Sequence, residues 1–150
     1  MERGPPPPAL ADLIRGGHPP AELDRCVEAA LERNVRHLVV LDLRGLSDAT
    51  DFFVIGSGDS DTHTRAIAEN VLRRMKESDL RPAGVEGEAA GQWVLMDFLD
   101  VIVHLFAPRV REFYQLERLW GDAPCFELSE APQGELRDAP LEEPRGDSTG

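Results

Sequence analysis

Two carboxylates, an imidazole and an indole occur within one short segment of the sequence, residues 93–104 (WVLMDFLDVIVH). The segment has the pattern of two strands joined by a tight turn at Phe98-Leu99. Because side chains along a strand alternate between two faces, a two-residue turn predicts which of them share a face. The predicted cross-strand pairs are Asp97 with Asp100, Leu95 with Ile102 and Trp93 with His104. The opposite face is predicted to be apolar core, formed by Val94, Met96, Val101 and Val103.

Two carboxylates that face each other destabilise a hairpin by a few tenths to ~1 kcal/mol, so Asp97 and Asp100 are expected to need a compensating cation. A metal ion, or the Arg and Lys side chains of a basic partner, would supply it. Together with His104 the acids suit a divalent ion, whereas with Trp93 they suit a protein partner held by an aromatic anchor. The plainer alternatives are acids that bond to the turn backbone or to water, and a histidine and tryptophan that belong to the core.

Catalysis has weaker support elsewhere in the chain. The GSG motif at residues 56–58, followed by Asp59 and Asp61, is similar to the glycine-serine turn of nucleotidyltransferases, which hold metal ions with paired carboxylates. The same residues are typical of a strand, a turn and a helix start, and Asp51 is typical of a turn end. A metal-dependent nucleotidyltransferase or phosphohydrolase that uses the two hairpin acids, with or without Asp51, is therefore kept as an alternative.

These side chains depend on a scaffold that the pattern of apolar residues predicts. A helix starts after Pro20, and the last helix begins at Pro108. Asp59 or Ser60 is predicted to cap a long central helix that ends before Pro82. The predicted strands are residues 37–43, 52–55, 83–86, 92–98 and 101–106. The last helix, in one piece or two, carries Val110, Phe113, Tyr114, Leu116, Leu119 and Trp120 on its apolar side. The order α-β-β-α-β-β-β-α predicts a mixed sheet flanked by helices, of the α/β or α+β class.

Charge and proline are unevenly distributed along the 150 residues, whose net charge is −12. Residues 21–121 hold 18 acids and 12 bases, whereas residues 122–150 hold eight acids and two bases. Six of the twelve prolines fall in the first twenty residues. We therefore predict a disordered Pro-rich leader at residues 1–20, one folded domain at 21–121 and a disordered acidic tail at 122–150.

The composition also limits the class of partner. An acidic domain repels phosphate backbones, which disfavours nucleic acid as the main direct partner and favours a basic protein. Two cysteines, Cys26 and Cys125, give neither a disulfide framework nor a metal-spaced pair, which is typical of the reducing cytoplasm. The sequence has no stretch of about 18 apolar residues, so it predicts no membrane-spanning helix.

At these residues the sequence resembles the ribosomal silencing factor family, also called the Iojap-like or RsfS family. The similarity runs from about residue 21 to residue 124. Four ordered segments carry it: Asp51 to Ser60 (DFFVIGSGDS) with Ala66-Ile67-Ala68, Val85-Glu86-Gly87, Trp93 to Phe106, and Arg111 to Pro124.

The resemblance implies a nucleotidyltransferase-like fold without the catalytic carboxylates, which acts by binding and needs no cofactor or metal ion. Such proteins dock on ribosomal protein fourteen of the large subunit and sterically block joining of the small subunit, which represses translation. Members of the family are typically homodimers. A factor for large-subunit assembly would use the same docking surface and differ only in timing.

The family's most recognisable motif places the expected partner surface at Trp93, Asp97, Phe98, Asp100 and His104. In this interpretation Trp93 and Phe98 are apolar anchors, and the two aspartates pair with Arg or Lys of the partner. Further candidates from the other matched segments are Glu86 and Glu117.

The chain departs from the family pattern at the turn. Phe98 stands where tyrosine is usual, and Leu99 stands where glycine is usual. If the turn needs a positive φ, leucine costs ~1 kcal/mol or more there.

Overall fold

The structure is a computed structural model, and it describes residues 20–128. The predicted leader up to residue 19 and the predicted tail beyond residue 128 lie outside the described residues. The helices are α1 (Ala21–Leu31), α2 (Asp61–Glu77), α3 (Pro108–Tyr114) and α4 (Leu116–Leu119). The strands are β1 (Arg36–Asp42), β2 (Phe52–Ser57), β3 (Gly84–Glu86), β4 (Trp93–Asp97), β5 (Val101–Phe106) and β6 (Cys125–Glu127).

All six strands belong to one mixed sheet, in the order β3-β4-β5-β2-β1-β6. Strands β2 and β5 run parallel, and every other neighbouring pair is antiparallel. A parallel pair requires a long crossover connection, and here α2, β3 and β4 lie in it. The predicted α/β class, a mixed sheet flanked by helices, is confirmed.

The last helix has the divided form of the two arrangements that the sequence left open. It separates into α3 and α4 because Gln115 between them adopts a left-handed backbone, with φ 47°. One element differs from the prediction. Strand β6 forms inside the segment predicted as an acidic tail, since it pairs with β1. The composition of this segment does not predict a strand, because the strand forms by pairing with β1 and not through apolar residues of its own. Ordered structure therefore continues past the predicted boundary at residue 121 to Leu128, which is buried.

The two long helices follow from local sequence. In α2 the Ser60 Oγ accepts a hydrogen bond from the His63 N–H at 3.1 Å, so Ser60 is the N-cap. The helix ends ahead of Pro82, as predicted. Helix α1 buries one stripe of its surface, formed by Leu23, Cys26, Val27, Ala29 and Ala30. None of the described helices is long and apolar enough to span a bilayer.

The helices leave the two faces of the sheet unequally covered. Helices α1 and α2 pack on one face, over the larger apolar core. On the other face a smaller cluster lies under α4 and the segment directly after it, and α3 has no fully buried residue. We use the term open face for the part of this second face that is built from β4, β5 and the adjacent residue of β2. Its side chains are those of Phe53, Trp93, Leu95, Asp97, Ile102 and His104, together with the buried Phe106.

The GSG motif lies at the junction between the end of β2 and the start of α2. The Gly58 N–H donates a hydrogen bond to the Phe106 carbonyl at 3.1 Å. A Cβ on Gly58 would lie 2.5 Å from both the backbone N and the Oγ1 of Thr64. Glycine is needed here because the chain passes directly against the first turn of α2. The motif therefore has the steric role that the interpretation as strand, turn and helix start predicts.

Substitution of this glycine tests that role. We expect Gly58→Ala to lower the free energy of unfolding by about 2 kcal/mol, because the backbone of α2 has to shift to admit the methyl group. Urea unfolding followed by circular dichroism measures the change. The matched control is Gly84→Ala, where an added Cβ meets nothing within 4 Å. Equal unfolding midpoints for the two variants would contradict the prediction.

Candidate functional site

The β4–β5 hairpin brings most of the predicted site residues to one end of the sheet, in a register different from the predicted one. The observed pairs are Trp93 with Phe106, Leu95 with His104 and Asp97 with Ile102. The predicted pairs are therefore wrong by two residues. A shift of two leaves every side chain on its predicted face, because the period of a strand is two. The four side chains predicted as core are fully buried: Val94, Met96, Val101 and Val103.

The turn lies one residue further along the chain than predicted. The Phe98 N–H donates a hydrogen bond to the Val101 carbonyl at 2.9 Å, which leaves residues 99 and 100 as the loop. Leu99 has φ 75°, and the Asp100 N–H donates to the Phe98 carbonyl at 3.0 Å. These features define a γ-turn centred on Leu99, a strained conformation for a residue with a side chain. The Leu99 N–H donates to Asp97 Oδ1 at 2.8 Å.

Asp97 and Asp100 do not face each other, so the expectation of opposed carboxylates is wrong. The half-buried Asp97 bonds to the turn backbone, as in the plainer alternative. Asp100 is exposed, and its carboxylate has no hydrogen bond or ion pair within residues 20–128. The Asp100 carbonyl accepts hydrogen bonds from the N–H groups of Asp51 and Phe52 at 3.1 and 3.0 Å. Asp51 therefore lies beside Asp100 at this end of the sheet.

The aromatic residue of the turn is not at the surface. Phe98 is 5% exposed and belongs to the core under α1 and α2, so the expectation that its ring is a surface anchor is wrong. The physical reason is the side-chain period, which places residue 98 on the same face as residues 94 and 96. Leu99 instead is 65% exposed at the tip of the hairpin. The sequence analysis did not identify this exposed apolar side chain as a candidate, although a large apolar residue in a turn was the available signal.

Trp93 and His104 form a hydrogen-bonded pair on the open face. The Trp93 indole N–H donates to His104 Nδ1 at 3.1 Å. His104 is 4% exposed, and its ring contacts Phe53 edge to face with centroids 4.5 Å apart. The second ring nitrogen, Nε2, is buried without a hydrogen-bond partner among the described residues. His104 is therefore a buried residue that holds the indole in place rather than a contact residue at the surface.

Burial sets the charge state of this histidine. Desolvation of the imidazole lowers the pKa of His104 from its ordinary value of 6.5 to about 4. The ring is neutral at neutral pH, which leaves Nδ1 free to accept the indole hydrogen. Trp93 itself is only half-buried, so its outer face remains accessible.

Helices α3 and α4 extend the aromatic surface beyond the sheet. The Tyr114 ring lies 4.8 Å from that of Trp93, centroid to centroid. Phe113, Tyr114 and Leu119 are 79%, 50% and 73% exposed. The sequence predicted these three on one apolar side with Val110, Leu116 and Trp120, but the left-handed Gln115 interrupts the helical period, and only the latter three pack against the smaller cluster. The exposed three are residues that the sequence identified as apolar and assigned to the wrong environment.

The two further candidates have different surroundings. Glu86 is exposed on the edge strand β3 and pairs with Leu95, so it lies on the same face of the sheet as the open face. Glu117 forms an ion pair with Arg111 at 2.7 Å, and Arg111 also donates to Ser57 Oγ at 3.0 Å. Glu117 therefore joins α4 to the end of β2 and is not part of the open face.

The acids considered for catalysis are separated by the fold. Within residues 20–128 no three His, Cys, Asp or Glu side chains form a group suited to a metal ion. Asp59 pairs with Arg36 at 3.1 Å, and Asp61 Oδ1 accepts a hydrogen bond from Gln92 at 2.7 Å. The structure does not bring Asp97, Asp100 and His104 together as a set of metal ligands. His104 is buried opposite Leu95, whereas Asp97 bonds to the turn backbone and Asp100 lies in the loop.

The buried imidazole makes stability depend on pH. Between pH 6.5 and pH 4 the unfolded chain binds a proton at His104 that the folded chain does not, so the free energy of unfolding falls as the pH is lowered through this range. A pKa lowered to about 4 predicts a loss of about 3 kcal/mol from this residue. Urea unfolding of the wild type and of His104→Phe between pH 7 and pH 4 measures it. The same pH dependence in both proteins would contradict the prediction.

Comparisons with known proteins agree with the resemblance in the sequence. The family model described as "Ribosomal silencing factor during starvation" matches residues 17–148. "Ribosomal silencing factor RsfS" of Halalkalibacterium halodurans is 38% identical over 106 residues, which cover 71% of this chain and 91% of that protein. The mouse "Mitochondrial assembly of ribosomal large subunit protein 1" is 33% identical over 102 residues, which cover 66% of this chain and 45% of that protein.

Solved structures show the same relation. A crystal structure of a Chromobacterium violaceum protein matches with a TM-score of 0.65 and 33% identity, over 67% of this chain and 83% of that one. A crystal structure from Bacillus halodurans matches with a TM-score of 0.63 and 35% identity, over 71% of this chain and 96% of that one. The extent of the family match and these identities place the chain in the ribosomal silencing factor family.

Proposed function

We propose that this protein binds the large ribosomal subunit at ribosomal protein fourteen and sterically blocks joining of the small subunit, which represses translation. The observation that carries the proposal is the open face, a partly uncovered sheet surface on which half-buried Trp93, Leu95 and Ile102 share one face with the carboxylates of Asp97 and Glu86. Obstruction needs no chemical step and no cofactor, so we infer a non-enzymatic factor whose potency is set by affinity.

The open face has the composition of a protein interface. Trp93, Leu95 and Ile102 are half-buried apolar side chains in the free chain. Glu86 and Asp97 lie on the same face, towards its edges. An apolar centre with a charged rim is the usual arrangement of an interface, in which aromatic residues provide much of the binding energy.

Charge indicates the kind of partner. Residues 20–128 hold 20 acids and 12 bases, counted from the sequence. A protein that binds RNA carries Lys and Arg to neutralise phosphates, so a ribosomal protein presents basic groups that fit acids such as Asp100 and Glu86. We therefore propose a ribosomal protein, and not ribosomal RNA, as the main direct contact, in the cytoplasm.

We further propose that the free protein is a homodimer. Phe113 and Leu119 are exposed to a degree that suits burial against a second copy.

Assembly of the large subunit is the second candidate function, because the mouse relative is named for it. The docking surface would be the same, and the two functions differ in whether the partner is a mature subunit or a precursor. Binding to mature large subunits together with a loss of joined ribosomes supports silencing, whereas preferential binding to precursors supports assembly.

Sedimentation of the purified protein with isolated ribosomal subunits tests the proposal directly. We expect the protein to migrate with the large subunit, and we expect fewer joined ribosomes when the small subunit is added. Protein that stays at the top of the gradient with both subunits would contradict the proposal.

A charge-neutral variant tests the role of the hairpin acids. We expect Asp97→Asn with Asp100→Asn to weaken binding to the large subunit about tenfold at low salt, and less at high salt, because two rim charges are lost. The fold is expected to remain intact, since the amide oxygen at position 97 still accepts the Leu99 N–H. Quantitative co-sedimentation measures the change.

The matched control for this variant is Glu28→Gln with Glu69→Gln, which alters the net charge equally on the exposed sides of α1 and α2. We expect the control to bind as the wild type does. Binding of the Asp97 and Asp100 variant that equals the wild type would remove these acids from the proposed surface.

A further inference from the structure

Leu99 is energetically unfavourable in the free protein for two reasons, its backbone conformation and its exposure to solvent. Its φ of 75° lies in the left-handed region, where a Cβ is unfavourable and glycine is preferred. Its side chain is also 65% exposed, so the residue gains little from burial in return. A strained position of this kind persists only where the surrounding structure enforces it, and such positions concentrate at functional sites.

The turn that presents Leu99 is rigidly built. Its own N–H is held by Asp97 Oδ1 at 2.8 Å, and the γ-turn is closed by the Asp100 N–H on the Phe98 carbonyl at 3.0 Å. Phe98 on one side is fixed in the core, and the Asp100 carbonyl on the other side accepts hydrogen bonds from two N–H groups of the chain that enters β2. A side chain presented in this way loses little backbone entropy when it is bound.

The surroundings of Leu99 are acidic. Asp97 and Asp100 flank it in sequence, and Asp51 lies beside Asp100 through a backbone hydrogen bond of 3.1 Å. The tip of the hairpin is thus an apolar side chain with carboxylates on its sides. Its complement is an apolar recess bordered by Arg or Lys, a surface that a basic protein offers and a phosphate backbone does not.

We propose that Leu99 is an affinity-determining contact that inserts into an apolar recess with a basic rim on the ribosomal protein. The proposal rests on the proposed function and adds to it a residue that no charge argument identifies. The strain at Leu99 is then tolerated in the free protein because the side chain is needed in the complex.

Opposite effects on stability and on binding test this proposal. In Leu99→Gly the positive φ is no longer strained, so we expect the melting temperature to rise by about 3 °C. The contact is lost at the same time, so affinity for purified large subunits is expected to fall on the order of tenfold. Because the lost contact is apolar, the deficit should persist at high salt, unlike that of the Asp97 and Asp100 variant.

Two further variants separate the side chain from the backbone. Leu99→Ala keeps the Cβ strain but removes the apolar side chain, and we expect it to bind as weakly as Leu99→Gly without the gain in stability. Asn34→Gly is the matched control, since Asn34 is exposed and has φ 59° at the end of α1. It should bind as the wild type does.

The outcomes distinguish the two proposals. Wild-type protein that binds large subunits while Leu99→Gly binds equally well overturns the role of Leu99 and leaves the proposed function standing. Wild-type protein that does not bind overturns both. A Leu99→Gly protein that sediments as a monomer where the wild type is a dimer, with unchanged subunit binding, assigns the contact to a second copy of the chain and also overturns the proposal.

Discussion

The β4–β5 hairpin has one face with no access to solvent, and the rest of the site depends on this burial. Val94, Met96, Val101 and Val103 are fully buried against the core under α1 and α2. Exposing any of them would cost about 2 kcal/mol, so the hairpin cannot turn its other face inward. The aromatic and acidic side chains are held on the open face as a consequence, whatever the details of the turn.

This dependence explains which features of the site the sequence predicts. The two faces of the hairpin follow from alternation, and alternation survives the two-residue shift in register. The register itself depends on the turn, where Leu99 adopts a backbone conformation that its residue type disfavours. Local propensity therefore identified the faces correctly and the cross-strand partners incorrectly. The repulsion inferred for Asp97 and Asp100 was an artefact of that register.

The remaining differences arise where one element depends on another that is distant in sequence. The cap of α2 is local, and Ser60 was one of the two residues predicted for it. Strand β6 exists because β1 offers it an edge, which its own acidic composition does not reveal. The apolar side chains of α3 and α4 have helical spacing, but a left-handed Gln115 decides where they point. Patterns within one segment predict the elements, and contacts between segments decide the surface.

Strand β6 also replaces β1 as the edge of the sheet on that side. It pairs with Val39, Val40 and Leu41 of β1, and the Leu128 N–H bonds to the Leu38 carbonyl at 2.8 Å. A chain that ended at residue 121 would leave the central part of β1 with unpaired N–H and carbonyl groups along an apolar strand. Such an edge recruits strands from other chains. With β6 in place, the edge of the sheet is instead a strand of three residues that carries Glu127, which offers another chain a much shorter and charged template.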